Sequence, residues 1–430
     1  MRAASLVATA LLLCASATQA QTIAITGGKV YPVSGPVIEG GTVLIRDGKI
    51  AAVGRDVAVP SDAQRIDATG KVVTPGLVNA ATQLGMVEIG AVASTREAGA
   101  PDTPNGITAA FTPWIGLNPT SILLAPAREA GVTTVLVAPE GGLISGQAGI
   151  VHLVPGTVED MIMRSPVGMV ATLGPGGGPN GGSRAATLLK LREVLEDARV
   201  YRTRRADFDR AQIRPLAASR LDLEALQMVL DGRIPMIIEA DKSSDIQAAM
   251  RLAKDYGFKM ILAGGAEAWM VADQLAAARI PVLTGAMNNI PESFATLGQR
   301  QENAGLLNKA GVQVSVIGNA GGGDEEAFNV RNVRFEAGNA VAYGMDWNAA
   351  LRSITLTPAE TFGVADRVGS LAPGRSADVV VWSGDPLEFA TQPEHVFIAG
   401  REVTQPSRQD LLEDRYKTLP PNYRQPVGKP

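Results

Sequence analysis

Thr74-Pro75-Gly76-Leu77-Val78-Asn79-Ala80-Ala81-Thr82-Gln83-Leu84-Gly85 is the stretch on which the reading of this chain turns, because two rhythms meet there. Before it, residues 23–26, 42–46 and 49–53 cluster or alternate β-formers, and Asp47-Gly48 between the last two is a strong two-residue hairpin signal. These read as short antiparallel strands. From Val72 onward, apolar strand-like runs recur at 133–137, 168–173, 234–238, 259–263, 280–283 and 312–317. Helical patterns lie between them, such as Leu188, Leu191, Val194, Leu195 and Ala198, or residues 248–256 and 271–278. Strand–helix alternation sustained over roughly three hundred residues predicts a parallel sheet, and that length suits a closed (β/α)8 TIM-type barrel. A doubly wound open sheet is the structural alternative.

Near the other end the strands shorten again, at 368–371, 378–382 and 396–398, with Ala399-Gly400-Arg401 as a turn. The run Arg367-Val368-Gly369-Ser370-Leu371-Ala372-Pro373-Gly374-Arg375-Ser376-Ala377-Asp378-Val379-Val380-Val381-Trp382 resembles the return segment of the amidohydrolase superfamily. Residues 74–85 resemble that superfamily's first barrel strand, close to the imidazolonepropionase-like branch, where the frame reads Pro-Gly-Leu-Ile-Asp-Ala-His-Thr-His. With both motifs present in order, the resemblance spans about residues 23–403. It implies that the terminal strands pair into a small β-sandwich beside the barrel. The expected division is a signal peptide at 1–20, a composite β-sandwich from 21–73 and 366–404, the barrel at 74–365, and a tail at 405–430.

The resemblance also implies hydrolysis of non-peptide C–N bonds by a divalent ion that acidifies a bound water and polarises the carbonyl. Imidazoles usually hold such an ion. Here the first-strand histidine positions carry Ala81 and Gln83. The fifth strand reads Pro235-Met236-Ile237-Ile238-Glu239-Ala240-Asp241, with Glu239 and Asp241 in the imidazole positions. The sixth places Gly264 where histidine is expected, and the eighth offers Asn319 where the superfamily has aspartate. The degenerate ligand positions are therefore Ala81, Gln83, Glu239, Gly264 and Asn319, and Asn79, Gln83, Asn319 and Asp324 are expected to line the pocket. Glu239 and Asp241 stand two apart on a strand and so share one face. They are the candidate catalytic pair, and no metal ligand set is assigned. An oxygen-only site for calcium or magnesium, adding Glu325, is the weaker reading, because hard cations take six or more oxygens.

Composition supports the loss of the imidazole site without any alignment. The chain holds only two histidines, His152 and His395, and no histidine-rich metal site can be assembled within one subunit. His152 follows Ser145-Gly146-Gln147-Ala148-Gly149-Ile150-Val151 and reads as hydrogen-bonded structure; His395 reads as a surface or turn residue. At the start, Arg2, the apolar run 3–13 and the small residues from Ser16 to Ala20 read as a secretory signal cleaved near Ala20. The mature protein is then periplasmic or secreted. It also lacks cysteine, since Cys14 is the chain's one thiol. A net charge of −4 disfavours nucleic acid and anionic membrane surfaces as partners, and no membrane anchor is expected.

Two further motifs have bland readings. The glycine-rich run from Gly174 to Ser183 lacks the Gly-Lys-Ser/Thr ending of a phosphate loop, and Ser183 serves as an ordinary helix N-cap. Arg199, Arg202, Arg204, Arg205 and Arg210 are interspersed with Glu196, Asp197, Asp207 and Asp209 and read as a solvated helix face. The expected function is therefore a non-catalytic ligand-binding or partner subunit on an amidohydrolase-like scaffold, as a homodimer or beside a histidine-bearing paralogue, with no cofactor. The alternative is an active hydrolase of non-peptide C–N bonds working through Glu239, Asp241, Gln83 and Asn319. Zinc or another divalent metal is expected only if that altered site functions. A purely structural envelope role has no repeat or anchor in its favour.

Overall fold

The computed structural model describes residues 22–99, 103–174, 183–287, 291, 293–318 and 325–418, with 325 and 326 by backbone alone. The expected signal segment, most of the glycine-rich run, Asn319 and Asp324 lie outside the described residues.

β1 (Ile23–Val30), β2 (Ile38–Arg46) and β3 (Lys49–Gly54) form the expected antiparallel meander, and the hairpin between β2 and β3 turns at Asp47 and Gly48, both with positive φ. β4 (Gln64–Asp67) and β5 (Val72–Pro75) run parallel to β1.

The chain then enters an eight-stranded sheet that curls into a nearly closed barrel. Its strands are β6 (Leu77–Thr82), β7 (Val132–Val137), β8 (Ile144–His152), β9 (Ile162–Thr172), β10 (Met236–Ala240), β11 (Met260–Gly264), β12 (Val282–Thr284) and β13 (Val314–Val316). The edges β6 and β13 lie against each other, and the Val78 N–H donates to Ile354 O instead of to β13. The expected uninterrupted βα repeat fails at one place. β8 is antiparallel to both β7 and β9. Only residues 138–143 join β7 to β8, too short a link for the crossover that a parallel neighbour needs. Counting β8 as the third strand, β10, β11 and β13 are the fifth, sixth and eighth.

Alternation along the strands sorts the side chains. Leu136, Ala148, Ile150, Ile237, Ile261, Leu283 and Ile317 fill the barrel interior. Their neighbours Val135, Val137, Met236, Ile238, Met260 and Leu262 face outward to the helices, which answer with stripes three and four residues apart. Helix Arg184–Thr203, N-capped by Ser183 as expected, presents Leu191, Val194, Leu195 and Ala198.

β14 (Val379–Trp382) runs antiparallel to β5, and β15 (Pro393–Ile398) and β16 (Arg401–Glu402) extend the terminal sheet. Both chain ends thus meet in one eight-stranded sheet. Residues 368–371, expected as a strand, are not one: Gly369 takes φ +88°, outside the extended region. The tail carries helix Arg408–Tyr416, capped by Ser407.

The terminal sheet is bound to the barrel by the same period of two. Val379 and Val381 join a separate cluster with Ile25, Val43, Ile45 and Phe397. Val380 and Trp382 point the other way, into the barrel's outer core. Trp382 is fully buried, and its indole N–H donates to Thr74 Oγ1 at 2.8 Å, so its one polar atom is satisfied.

Candidate functional site

The parallel strands end together at one mouth of the barrel, where any such barrel builds its site. Asn79, Ala81 and Gln83 arrive from β6 and its end, Thr172 from β9, Glu239 and Asp241 from β10, and Gly264 from β11.

Glu239 stands in register with Thr172 on one side and Ala263 on the other. Its Oε2 accepts a hydrogen bond from Thr172 Oγ1 at 3.1 Å. The barrel wall strips solvent from the carboxyl and raises its pKa above the usual carboxylate range; the Thr172 bond opposes this, and the charge of Asp241 adds to it. Water still reaches Glu239 through the open mouth, where the residue is exposed.

Asp241 lies just past the strand and is half-buried. Its Oδ1 accepts from the Ala266 N–H at 3.2 Å. Burial raises its pKa as well, the Ala266 bond opposes, and the charge of Glu267 pushes it further up. Glu267 is itself held by the backbone N–H and hydroxyl of Ser243, at 2.9 and 3.0 Å. The two candidate carboxyls thus reach the same end of β10 but answer to different neighbours, Glu239 to β9 and Asp241 to the turn after β11.

Gly264 is not simply a histidine position with its side chain removed. Its φ is +78°, and a Cβ built there would lie 2.8 Å from Asp241 Oδ1. Asn79 is fully buried: its Nδ2 donates to Val330 O at 3.2 Å, and its Oδ1 accepts from the Ala81 N–H at 3.2 Å. Both ends of that amide are committed to the backbone. Gln83 is buried at the end of β6. Asn319 and Asp324 fall outside the described residues. Among the described residues no three His, Cys, Asp or Glu side chains converge as metal ligands would.

Neither histidine is at the mouth. His152 ends the antiparallel β8, and so lies at the opposite end of the barrel. Its Nε2 is 2.9 and 3.0 Å from the two carboxylate oxygens of the buried Asp378. Asp378 also accepts from Ser376 Oγ and the Ala399 N–H, fastening barrel to terminal sheet. His395 is in strand β15, not in a turn, with Nδ1 at 2.6 Å from Glu402 Oε1. The arginine run is largely neutralised by neighbours: Arg202 pairs with Asp231, Arg204 and Arg210 with Asp207, and Arg205 with Glu224.

Thr172, Ser243 and Glu336 are site-supporting residues that the sequence did not single out. Glu336 is buried, and its Oε2 accepts from the Ala286 and Met287 N–H groups at 2.6 and 2.8 Å, fixing the turn after β12. Each works across separations of 24 to 67 residues that no local pattern announces.

A barrel with its site at the carboxyl ends of the strands hosts many chemistries, and similarity to known proteins narrows the choice. The amidohydrolase family model matches residues 259–404, the later barrel strands and the return to the terminal sheet. Fold and matches together make the chain similar to the amidohydrolase superfamily. An amidohydrolase of Thermotoga maritima superposes with a TM-score of 0.79 at 27% identity, covering 89% of this chain and 100% of that one. An amidohydrolase of Hapsidospora irregularis is 25% identical over 398 residues, 84% of this chain and 39% of its own length. A urease alpha subunit of Sulfurisphaera tokodaii is 46% identical over 54 residues, 13% of this chain and 9% of its own. The chain therefore spans well under half the length of these curated relatives. No helix among the described residues is long and apolar enough to cross a membrane.

Proposed function

We propose that this chain is an exported amidohydrolase-superfamily barrel whose mouth has lost its metal site and now binds a ligand or partner without metal-assisted hydrolysis. The observation that carries the reading is the donor set. Ala81 and Gly264 have no donor atom, Asn79 has committed both ends of its amide to the backbone, and both histidines are engaged away from the mouth. Glu239 and Asp241 remain, each tied to a different neighbour, with Gln83, whose amide oxygen is only a weak ligand. The described residues do not fit the divalent ion the fold family implies, since such an ion usually takes three protein ligands or more. The left-handed backbone at Gly264 supports the same reading, because regaining an imidazole there requires the chain path to change. A pairing with a histidine-bearing paralogue would let this mouth stay unreactive while the partner's works.

A second reading rests on the raised pKa values of Glu239 and Asp241. Two partly desolvated carboxyls held in different surroundings are the raw material of general acid–base catalysis. The matched amidohydrolases support it, although without an ion the carbonyl has no strong electrophile.

Elemental analysis of protein purified from the periplasm, without chelators or a histidine tag, separates the two. The binding reading expects transition metal well below one per chain and a biological role that survives Glu239→Ala. Zinc, manganese or iron near one per chain, or substrate turnover abolished by Glu239→Ala, would overturn it.

A further inference from the structure

At the opposite end of the barrel from Glu239, the amino ends of β10, β11 and β12 open onto a cavity of about 990 Å3. Part of its lining is apolar: Val167, Ile261 and Phe362 belong to the layer that fills the barrel, and Ile234, Phe258 and Ile280 join them. The rest is cationic. Arg164, Arg233, Arg251, Lys254, Lys259 and Arg279 all line the cavity, in a chain whose net charge is −4. Glu360 is the one carboxylate among the lining residues, and it is already held by Arg352 at 2.7 Å. Arg164 donates to the carbonyls of Phe362 and Gly363, and Arg233 lies 3.6 Å from Asp231. Among the described residues, Arg251, Lys254, Lys259 and Arg279 have no ion-pair partner. Arg279 also caps helix Ala272–Ala278 in the left-handed conformation, φ +53°, a place where glycine would be unstrained.

Arg251, Lys254, Lys259 and Arg279 are solvent-exposed, and like charges gathered around one concave surface repel one another and give it a positive potential. A small inorganic anion would relieve that repulsion but leave the apolar floor wet; a neutral apolar molecule would cover the floor but leave the charges uncompensated. We propose that this cavity binds a small organic anion with an aliphatic or aromatic body, its acid group among the cations and its body on the Val167, Phe258 and Phe362 floor. The site is separate from the mouth and does not rest on the function proposed above.

Isothermal titration of the full mature chain with decanoate, decyltrimethylammonium and inorganic phosphate tests this. Decanoate is expected to bind saturably, more weakly as salt is raised, with the other two giving no comparable binding. Lys259→Glu with Arg279→Glu should weaken decanoate by about tenfold or more at an unchanged thermal midpoint. Should that variant fail to fold, Arg251→Gln with Lys254→Gln, exposed on helix Ser243–Tyr256, should weaken binding in the same direction. Glu239→Ala should leave decanoate binding as it was. The proposal is overturned if decanoate does not bind, if the cationic amphiphile or phosphate binds as well as decanoate, if the charge changes have no effect, or if Glu239→Ala removes the binding.

Discussion

Glu239 carries a proton more readily in the folded chain than in the unfolded one, because the barrel wall withholds solvent from its charge. A carboxyl raised in this way binds protons more tightly when folded, so stability falls as pH rises from its unfolded value through its folded one. Glu239→Gln should therefore raise the thermal midpoint at neutral pH and leave it nearly unchanged in acid below the unfolded carboxyl pKa; equal effects at both pH values would remove desolvation as the cause. Access of water through the mouth limits the size of this effect, not its sign. The histidines give a second contrast. His152→Ala leaves the buried Asp378 without its imidazole and should cost about 3 kcal/mol in urea unfolding. His395→Ala breaks a half-buried pair and should cost under about 1 kcal/mol.

Elements decide what the mouth can hold. β11 ends in a left-handed glycine that lets the chain turn beneath Asp241, so a β-carbon there meets both an unfavourable φ and a carboxylate oxygen. Gly264→Ala should cost about 1–2 kcal/mol in denaturant unfolding, and a neutral result would mean that the turn relaxes and the position remains open to a larger side chain. β8 shows the reverse case, a strand set by its connection. It is buried along almost its whole length like its parallel neighbours, and only the short link after β7 makes it antiparallel. That reversal carries His152 away from the mouth and down to Asp378. The wrong reading of 368–371 has an equally local cause, since Gly369 interrupts an otherwise β-forming run.

For the whole molecule, the joint between terminal sheet and barrel governs stability. β14 lies between β5 and β15, sends Val379 and Val381 into one core and Val380 and Trp382 into the other, and abuts the His152–Asp378 contact. A chain ending at Val364 would expose both cores and should show no cooperative thermal transition; a two-state transition in that fragment would mean that the barrel stands alone. Much of this architecture is legible in the sequence, because hydrophobic periods of two and 3.6 are local and the two end motifs bracket the barrel in order. The expected β1 to β3 meander, the Asp47-Gly48 hairpin and the capped helix after Ser183 all have signals within a few residues. The site is less legible. Sequence alone determined that the chain has too few histidines for a three- or four-histidine metal site and that Glu239 and Asp241 stand two apart at the end of one apolar run. Only the tertiary structure decided that Thr172 takes one of those carboxyls and the turn after β11 the other, that Asn79 is locked to the backbone, and that cations from three strand ends share one hollow. The reason is physical: side-chain identity travels with the chain, whereas hydrogen bonds, desolvation and charge crowding depend on which distant segments the barrel brings together.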